Sequence, residues 1–265
     1  MMLDPYLPGN SAVHRLDGRV KLILALGFIL TAALLPTGAW AAFLLLAAAV
    51  FSAALLAEVS IGRLIRRTWL AVPFLLAALP QLCSTPGPAL AGFSLGSLRI
   101  EITLPGTVRF LTVAARAWLS LAAAVTLTAT TPFSDILVAM RALKLPRFLA
   151  GVIGLMWRYL FVMADSAARL VRARESRSGM IDRPDLHPGG SLLWRASVTG
   201  NMVGSLLLRS FDRAERVYTA MLARGYDGEP RSLPLAPLST PAWLLLVGGG
   251  AFCLLILVIG RLVMR

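Results

Sequence analysis

Charge is scarce in this 265-residue chain: 15% of its residues are Asp, Glu, Lys or Arg, against about a quarter in a soluble domain. Acid is scarcer still, with 13 Asp and Glu against 26 Lys and Arg. That shortage argues against an ordinary soluble domain. Lysine is almost absent; Lys21 and Lys144 are the only two. Neither stands in a Gly-x-x-x-x-Gly-Lys-Ser/Thr loop, whose N–H groups and Lys hold nucleotide phosphates, so ATP hydrolysis by that route is excluded. Histidine is limited to His14 and His187, and cysteine to Cys83 and Cys253. A disulfide framework or a transition-metal site needs more of these, set closer together. His14 with Asp17, and His187 with Asp185, come nearest to ligand pairs, but solvated loops account for them more simply. The two Cys read as inert core thiols. Ser and Thr are plentiful, yet nucleophilic catalysis also needs a neighbouring base and a third, orienting group.

What is abundant is apolar. Hydrophobic residues make up 57% of the chain and the mean hydropathy is +0.75, values of a polytopic membrane protein. The net charge of +13 would suggest nucleic acid on a soluble protein. Here the Arg residues sit between and beside apolar runs, where the positive-inside bias explains them. The aromatic interleaving of a single-strand binder is missing, so no nucleic-acid partner is expected. Residues 1–19 form a polar lead-in, and no A-x-A site follows the first apolar run, so that run is expected to be retained. Apolar runs cover 20–35, 39–57, 69–83, 107–131 and 242–259. A helix needs about 20 residues to cross a core of about 30 Å, which makes these adequate or nearly so. Pro73 and Pro80 predict a kinked third span. Arg63, Arg66 and Arg67 mark 58–68 as a short basic cytoplasmic loop. Residues 84–106 read as an external loop with a short hairpin. Arg116, inside the fourth run, should face protein or water rather than lipid.

The stretch 145–228 departs from this pattern. It is too polar for an anchor and too apolar for a soluble domain. Leu149, Val152, Met156, Leu160 and Met163 recur at helical spacing over 146–176. The second half of that helix adds Asp165, Arg169, Arg172, Arg174 and Arg177, so it starts apolar and ends wet. Residues 179–190 read as a loop. A second long helix spans 191–224, with Val203, Leu207, Phe211, Ala214, Tyr218 and Met221 on one stripe. Gly225 ends it, as Gly commonly does in the left-handed position. A shorter helix over 133–143 precedes both, with Thr131 or Ser134 as its cap. Each long helix ends in an Arg motif: Ser176-Arg177-Ser178 and Ala223-Arg224-Gly225. Arg in a last turn is favoured by the helix dipole, and one such end is an ordinary terminus. Two of them, on successive amphipathic helices in one basic segment, point to a contact surface. Ser176 and Ala223 are small enough for close approach, and Arg177 and Arg224 offer forked donors that suit carboxylates on another protein. The expected fold is an all-α polytopic membrane protein with about five spans. Residues 1–131 form an N-terminal region of about four spans, 132–240 a cytoplasmic region with two long helices, and 241–265 a final span.

The stretch Ser11-Ala12-Val13-His14-Arg15-Leu16-Asp17-Gly18-Arg19-Val20-Lys21-Leu22 is similar to the N-terminal pattern of the transmembrane T component of energy-coupling factor (ECF) transporters, which usually has Pro where Gly18 stands. Lys144-Leu145-Pro146-Arg147 and Leu155-Met156-Trp157-Arg158-Tyr159-Leu160-Phe161-Val162 resemble its cobalt/nickel branch, the CbiQ type. Family members end two coupling helices in Ala-Arg-Gly-like tripeptides that engage grooves on paired ATPase subunits. Ala223-Arg224-Gly225 matches in full. Ser176-Arg177-Ser178 matches only at Arg, which leaves Ala173-Arg174-Glu175, one turn earlier, as a competing register. The resemblance implies a non-catalytic coupling subunit in a bacterial inner membrane, multi-pass, with no metal site or cofactor of its own. Its implied partners are two ABC ATPase subunits, which use ATP, a membrane-embedded substrate-binding subunit and the lipid bilayer. Cobalt, or else nickel, would be the transported ion. Ser176, Arg177, Ser178, Ala223, Arg224 and Gly225 would bind the ATPases. The apolar faces of the two long helices would pack on each other and on the substrate subunit. The rival expectations are an intramembrane enzyme using Arg116, Asp135 and Asp165 on a lipid-like substrate, and a membrane anchor for another cytoplasmic complex.

Overall fold

Helices dominate the computed structural model, which describes residues 6–95, 98–177, 191–228 and 237–262. In chain order they are α1 (Gly18–Leu34), α2 (Trp40–Leu56), α3 (Ile61–Thr68), α4 (Val72–Ala78), α5 (Gln81–Ser84), α6 (Leu104–Thr130), α7 (Phe133–Ala142), α8 (Arg147–Arg177), α9 (Leu192–Ala223) and α10 (Thr240–Leu262). Strands β1 (Ala89–Leu95) and β2 (Leu98–Thr103) pair antiparallel as the hairpin expected within 84–106. The chain forms two compact units, Met1–Leu143 with Leu235–Arg265, and Lys144–Pro234. Helix α7 therefore belongs with the first unit, although its sequence resembled a lead into the second.

The first unit is built on α1. Asp17 caps it by accepting from Arg19 N–H at 2.9 Å. The apolar faces of α1, α2, α6 and α10 meet in one core that includes Phe28, Leu35, Phe43, Leu46, Leu119 and Ile256. Close approach to α10 depends on two glycines. A Cβ on Gly249 would lie 2.4 Å from Leu24 Cδ2, and one on Gly260 would lie 2.4 Å from Leu35 Cδ2. Small residues let apolar helices pack backbone to side chain in this way. Arg116 of α6 donates to the Leu35 carbonyl at the end of α1. Thr112, one turn earlier, accepts from Gly38 N–H at 3.4 Å. Arg116 thus faces protein, as expected, and its charge meets the negative end of the α1 dipole.

Three expectations need correction. Within the 58–68 segment, residues Ile61–Thr68 form a helix, α3, and not a loop; Leu64 is fully buried and gives its basic sequence an inner face. The run 69–83 is not one kinked span. It breaks into a 3-10 turn, Trp69–Ala71, then α4 and α5. Pro73 lies in the first turn of α4 and Pro80 caps α5, positions where a missing N–H does no harm. Neither Thr131 nor Ser134 caps α7: Pro132 occupies that position without a side-chain bond, and Ser134 Oγ donates to Asp135 Oδ1 instead, at 3.3 Å.

Among the described residues, α6, α8 and α10 are long and apolar enough to cross a membrane, while α2 is a shorter apolar helix. Helices α1 and α2 have 17 residues each, roughly 25 Å at ~1.5 Å per residue. The five expected spans therefore do not map one to one onto long helices. The all-α membrane class stands, with the hairpin as a minor addition.

The second unit holds α8, of 31 residues, and α9, of 32. Ser191 Oγ accepts from Trp194 N–H at 3.2 Å and so caps α9. Ala150 is the one buried residue of α8, and α9 has none. Two helices this long with so little buried surface have apolar faces that the rest of the unit does not cover.

Candidate functional site

Helix α9 ends in a fully formed cap. Gly225 N–H donates to Leu222 O at 2.9 Å, and Tyr226 N–H donates to Met221 O at 3.0 Å. This pair of bonds is the Schellman arrangement, which needs a left-handed residue between them. Gly225 supplies it with φ +81°. Arg224 is the residue at the turn itself, with φ −94°. Ala223, Arg224 and Gly225 are all exposed. The cap fixes where the backbone of Arg224 points and leaves its side chain available.

Helix α8 ends at Arg177. Ser176 and Arg177 are exposed, and Ser176 Oγ turns back onto Ala173 O at 3.0 Å. Ser178, the third member of this motif, lies outside the described residues. Arg174 differs from Arg177: it is half-buried, and its Nη1 donates to Thr199 Oγ1 of α9 at 3.0 Å. Further back, Arg169 pairs with Asp165 at 2.5 Å, one turn apart.

The Arg174–Thr199 bond joins the end of α8 to the start of α9. At the other end, Phe148, Val152, Met156 and Tyr159 of α8 share a cleft of about 500 Å³ with Arg213, Val217, Tyr218 and Met221 of α9. The helices therefore run antiparallel, and their C-terminal ends lie at opposite ends of the pair. From Phe148 to Arg177 is roughly 45 Å along α8 at ~1.5 Å per residue. The two Arg motifs cannot enter one groove together. The apolar faces cover each other little: Val152, Met156 and Tyr218 line the cleft yet are 45%, 59% and 54% exposed, and Val203, Leu207 and Phe211 are 59%, 55% and 63% exposed.

The other candidates are engaged locally. His14 Nδ1 lies 2.7 Å from Ser11 Oγ, and His14 Nε2 lies 3.0 Å from Leu7 O. A carbonyl only accepts, so Nε2 carries the proton and Nδ1 accepts from the Ser11 hydroxyl. Both nitrogens hold the lead-in together, and Asp17 is the cap of α1. His187 and Asp185 lie outside the described residues. Among the described residues, no group of three His, Cys, Asp or Glu could hold a metal ion. Arg116, Asp135 and Asp165 each have their own partner, Leu35 O, Ser134 and Arg169. Gly92-Phe93-Ser94-Leu95-Gly96 has the spacing of a nucleophile elbow, but Ser94 sits within β1 opposite Arg99. The motif needs a strand-to-helix turn, so here it is a strand that happens to match.

Sequence reasoning missed the role of Lys21. It is 8% exposed, and Nζ donates to Thr130 O at 3.0 Å and to His14 O at 3.4 Å. One side chain thereby ties α1, the end of α6 and the lead-in. Gly18 packs against Asp135 at the start of α7, where a Cβ would sit 3.2 Å from Asp135 Cβ. The visible signal was a lysine placed just inside an apolar run.

A unit with long apolar helices and a second unit of two long antiparallel helices with exposed Arg ends define the class of a helical membrane protein. Residues 9–234 match the family model of the cobalt transport protein CbiQ, and the chain belongs to that family. It is a transmembrane component of the ECF transporter type. It is 29% identical over 222 residues to a cobalt transport protein CbiQ of Rhodobacter capsulatus, covering 83% of each chain. The CbiQ of Salmonella typhimurium is 27% identical over 79% of this chain and 90% of its own. An ECF transporter transmembrane protein EcfT of Heliobacterium modesticaldum is 30% identical over 89% of this chain and 88% of its own.

Proposed function

We propose that this chain is the energy-coupling subunit of an ECF-type importer, with cobalt as the transported ion and nickel as the alternative. ATP-driven movement of two partner ATPase subunits would displace the ends of α8 and α9. That movement would pass to a membrane-embedded subunit that binds the ion. In this assembly the chain itself is non-catalytic and sits multi-pass in the bacterial inner membrane.

The observation that carries this reading is the antiparallel pair with exposed Arg ends roughly 45 Å apart. Two separated contacts suit two ATPase subunits, one at each end. Arg224 and Gly225 form the firmer contact because their cap is complete. Arg177 is preferred to Arg174 in the first motif because Arg174 is already bonded to Thr199. The cobalt assignment draws on the names of the CbiQ relatives.

The test is the pair Arg177→Ala and Arg224→Ala, made together in the complete transporter in vesicles. The variant should fold and insert normally and lose ATP-driven cobalt uptake. Uptake at the normal rate, with the ATPases still bound, would show that the Arg ends do not couple.

A further inference from the structure

Between α1 and α2, with α6 behind them, runs a groove of about 300 Å³. Leu24 and Phe28 of α1, Val50 and Leu56 of α2, and Ala123 and Leu127 of α6 line it. Phe28, Val50 and Ala123 are buried, whereas Leu56 at the rim is 63% exposed. The groove follows the helix axes. From Lys21 to Phe28 on α1, and from Thr130 to Ala123 on α6, is roughly 10 Å at ~1.5 Å per residue. Spread over that length, its volume gives a section of roughly 30 Å². A helix with its side chains is about 10–12 Å across, on the order of 100 Å² in section, and cannot enter. A partner's side chain enters across the groove and fills only part of its length. One hydrocarbon chain fits the width, and it fits the direction, which acyl chains share with spanning helices.

The donors of the groove are confined to one end. Its hydroxyls are spent on the backbone: Ser52 Oγ donates to Ala49 O at 2.9 Å, Thr126 Oγ1 to Ala122 O at 2.8 Å and Thr130 Oγ1 to Thr126 O at 2.9 Å. Lys21 is the one charged residue of the lining. An ammonium has three N–H donors, and the carbonyls of Thr130 and His14 take two of them. The third is what the groove has to offer, and it selects an acceptor with negative charge. Asp135 and Asp17 also act on Lys21, but Arg19 stands 3.8 Å from Asp17 and the exposed Arg15 adjoins His14. Three cations against two carboxylates leave this end positive.

We propose that this groove holds one acyl chain of an anionic phospholipid, and that the lipid phosphate accepts from Lys21 at its end. Basic pockets between membrane helices hold acidic lipid head groups in this way. Lys21 then has two tasks: it ties the lead-in to α6, and it anchors a lipid that fills the gap between α1 and α2. The site lies wholly within the first unit and does not depend on the proposed coupling function.

The test is native mass spectrometry of the full purified chain, loaded with an equal mixture of phosphatidylglycerol and phosphatidylethanolamine and then stripped by detergent. One phosphatidylglycerol should stay on each chain. It should be preferred about tenfold over phosphatidylethanolamine, whose own ammonium offsets its phosphate; that factor is the scale of one charge-assisted hydrogen bond. Ala53→Trp puts a ring into the groove from the α2 wall, and Ala25→Phe does so from α1. Either variant, shown to be folded by circular dichroism and its melting temperature, should lose the bound lipid. Lys21→Met keeps the stem without the charge and should hold the two lipids equally. Complete loss of lipid from the wild-type chain, equal retention of the two lipids by it, or unchanged retention in a folded groove-filling variant would each overturn the proposal. The wild-type comparison decides even where no variant folds. It reads lipid and not transport, so its failure leaves the coupling function standing.

Discussion

Arg224 depends on the residue that follows it. Gly225 has open space around its Cα, so a side chain would not clash, but its φ of +81° disfavours any L-residue with a Cβ. Gly225→Ala should cost about 1 kcal/mol locally and fray the last turn of α9, while Gly225→Asn should cost less. Hydrogen exchange at Tyr226 and Gly225 reads this directly. Faster exchange in the Ala variant than in the Asn variant is expected; equal protection would mean the cap does not hold the end. Arg116 makes a second residue-scale case. Replacing it with Leu leaves the Leu35 carbonyl without its donor and should destabilise the purified protein by about 1–3 kcal/mol. A melting temperature that does not fall would show that the Arg116 bond contributes nothing net.

Among the elements, the long helices and the short α7 were legible, and the short helices between residues 61 and 84 were not. Helix α9 begins and ends within one residue of the limits read from sequence, because Ser191 and Gly225 act through the adjacent backbone alone. Helix α8 agrees as closely, from Pro146 before it and a sustained helical period along it. The segment 58–84 was misread for a physical reason. Charge density made α3 look like a loop, although one buried Leu64 suffices to seat it. Two prolines inside an apolar run could mean one kinked helix or several short ones, and packing decides between these. The Lys21 bond to Thr130 joins residues too far apart in sequence for any local pattern to show it. Contact between α1 and α10 was equally invisible, since Gly249 gives no sign of its partner. A side chain at 249 must displace the flexible end of Leu24. Gly249→Ala should therefore be mild and Gly249→Phe severe, seen as a large loss of folded, detergent-extractable protein. Similar yields for the two would show that α10 does not need that close approach.

At the scale of the whole molecule, the candidate Arg residues were legible as helix ends but their arrangement was not. Sequence placed Arg177 and Arg224 at helix ends; only the antiparallel arrangement places those ends apart, as the proposed pair of ATPase contacts requires. The chain in isolation offers two histidines, one of which is committed to Ser11 and Leu7. The purified chain should bind cobalt and nickel only weakly by calorimetry, and stoichiometric tight binding would contradict the division of labour proposed here. The central claim is that ATP moves the two Arg ends. Spin labels on Ala173→Cys and Ala220→Cys, with Cys83 and Cys253 replaced by Ala, would report their separation in the assembled transporter. The account predicts that the distance distribution shifts when ATP binds and returns after hydrolysis. One unchanged distribution, in a complex that hydrolyses ATP and imports the ion, would contradict it.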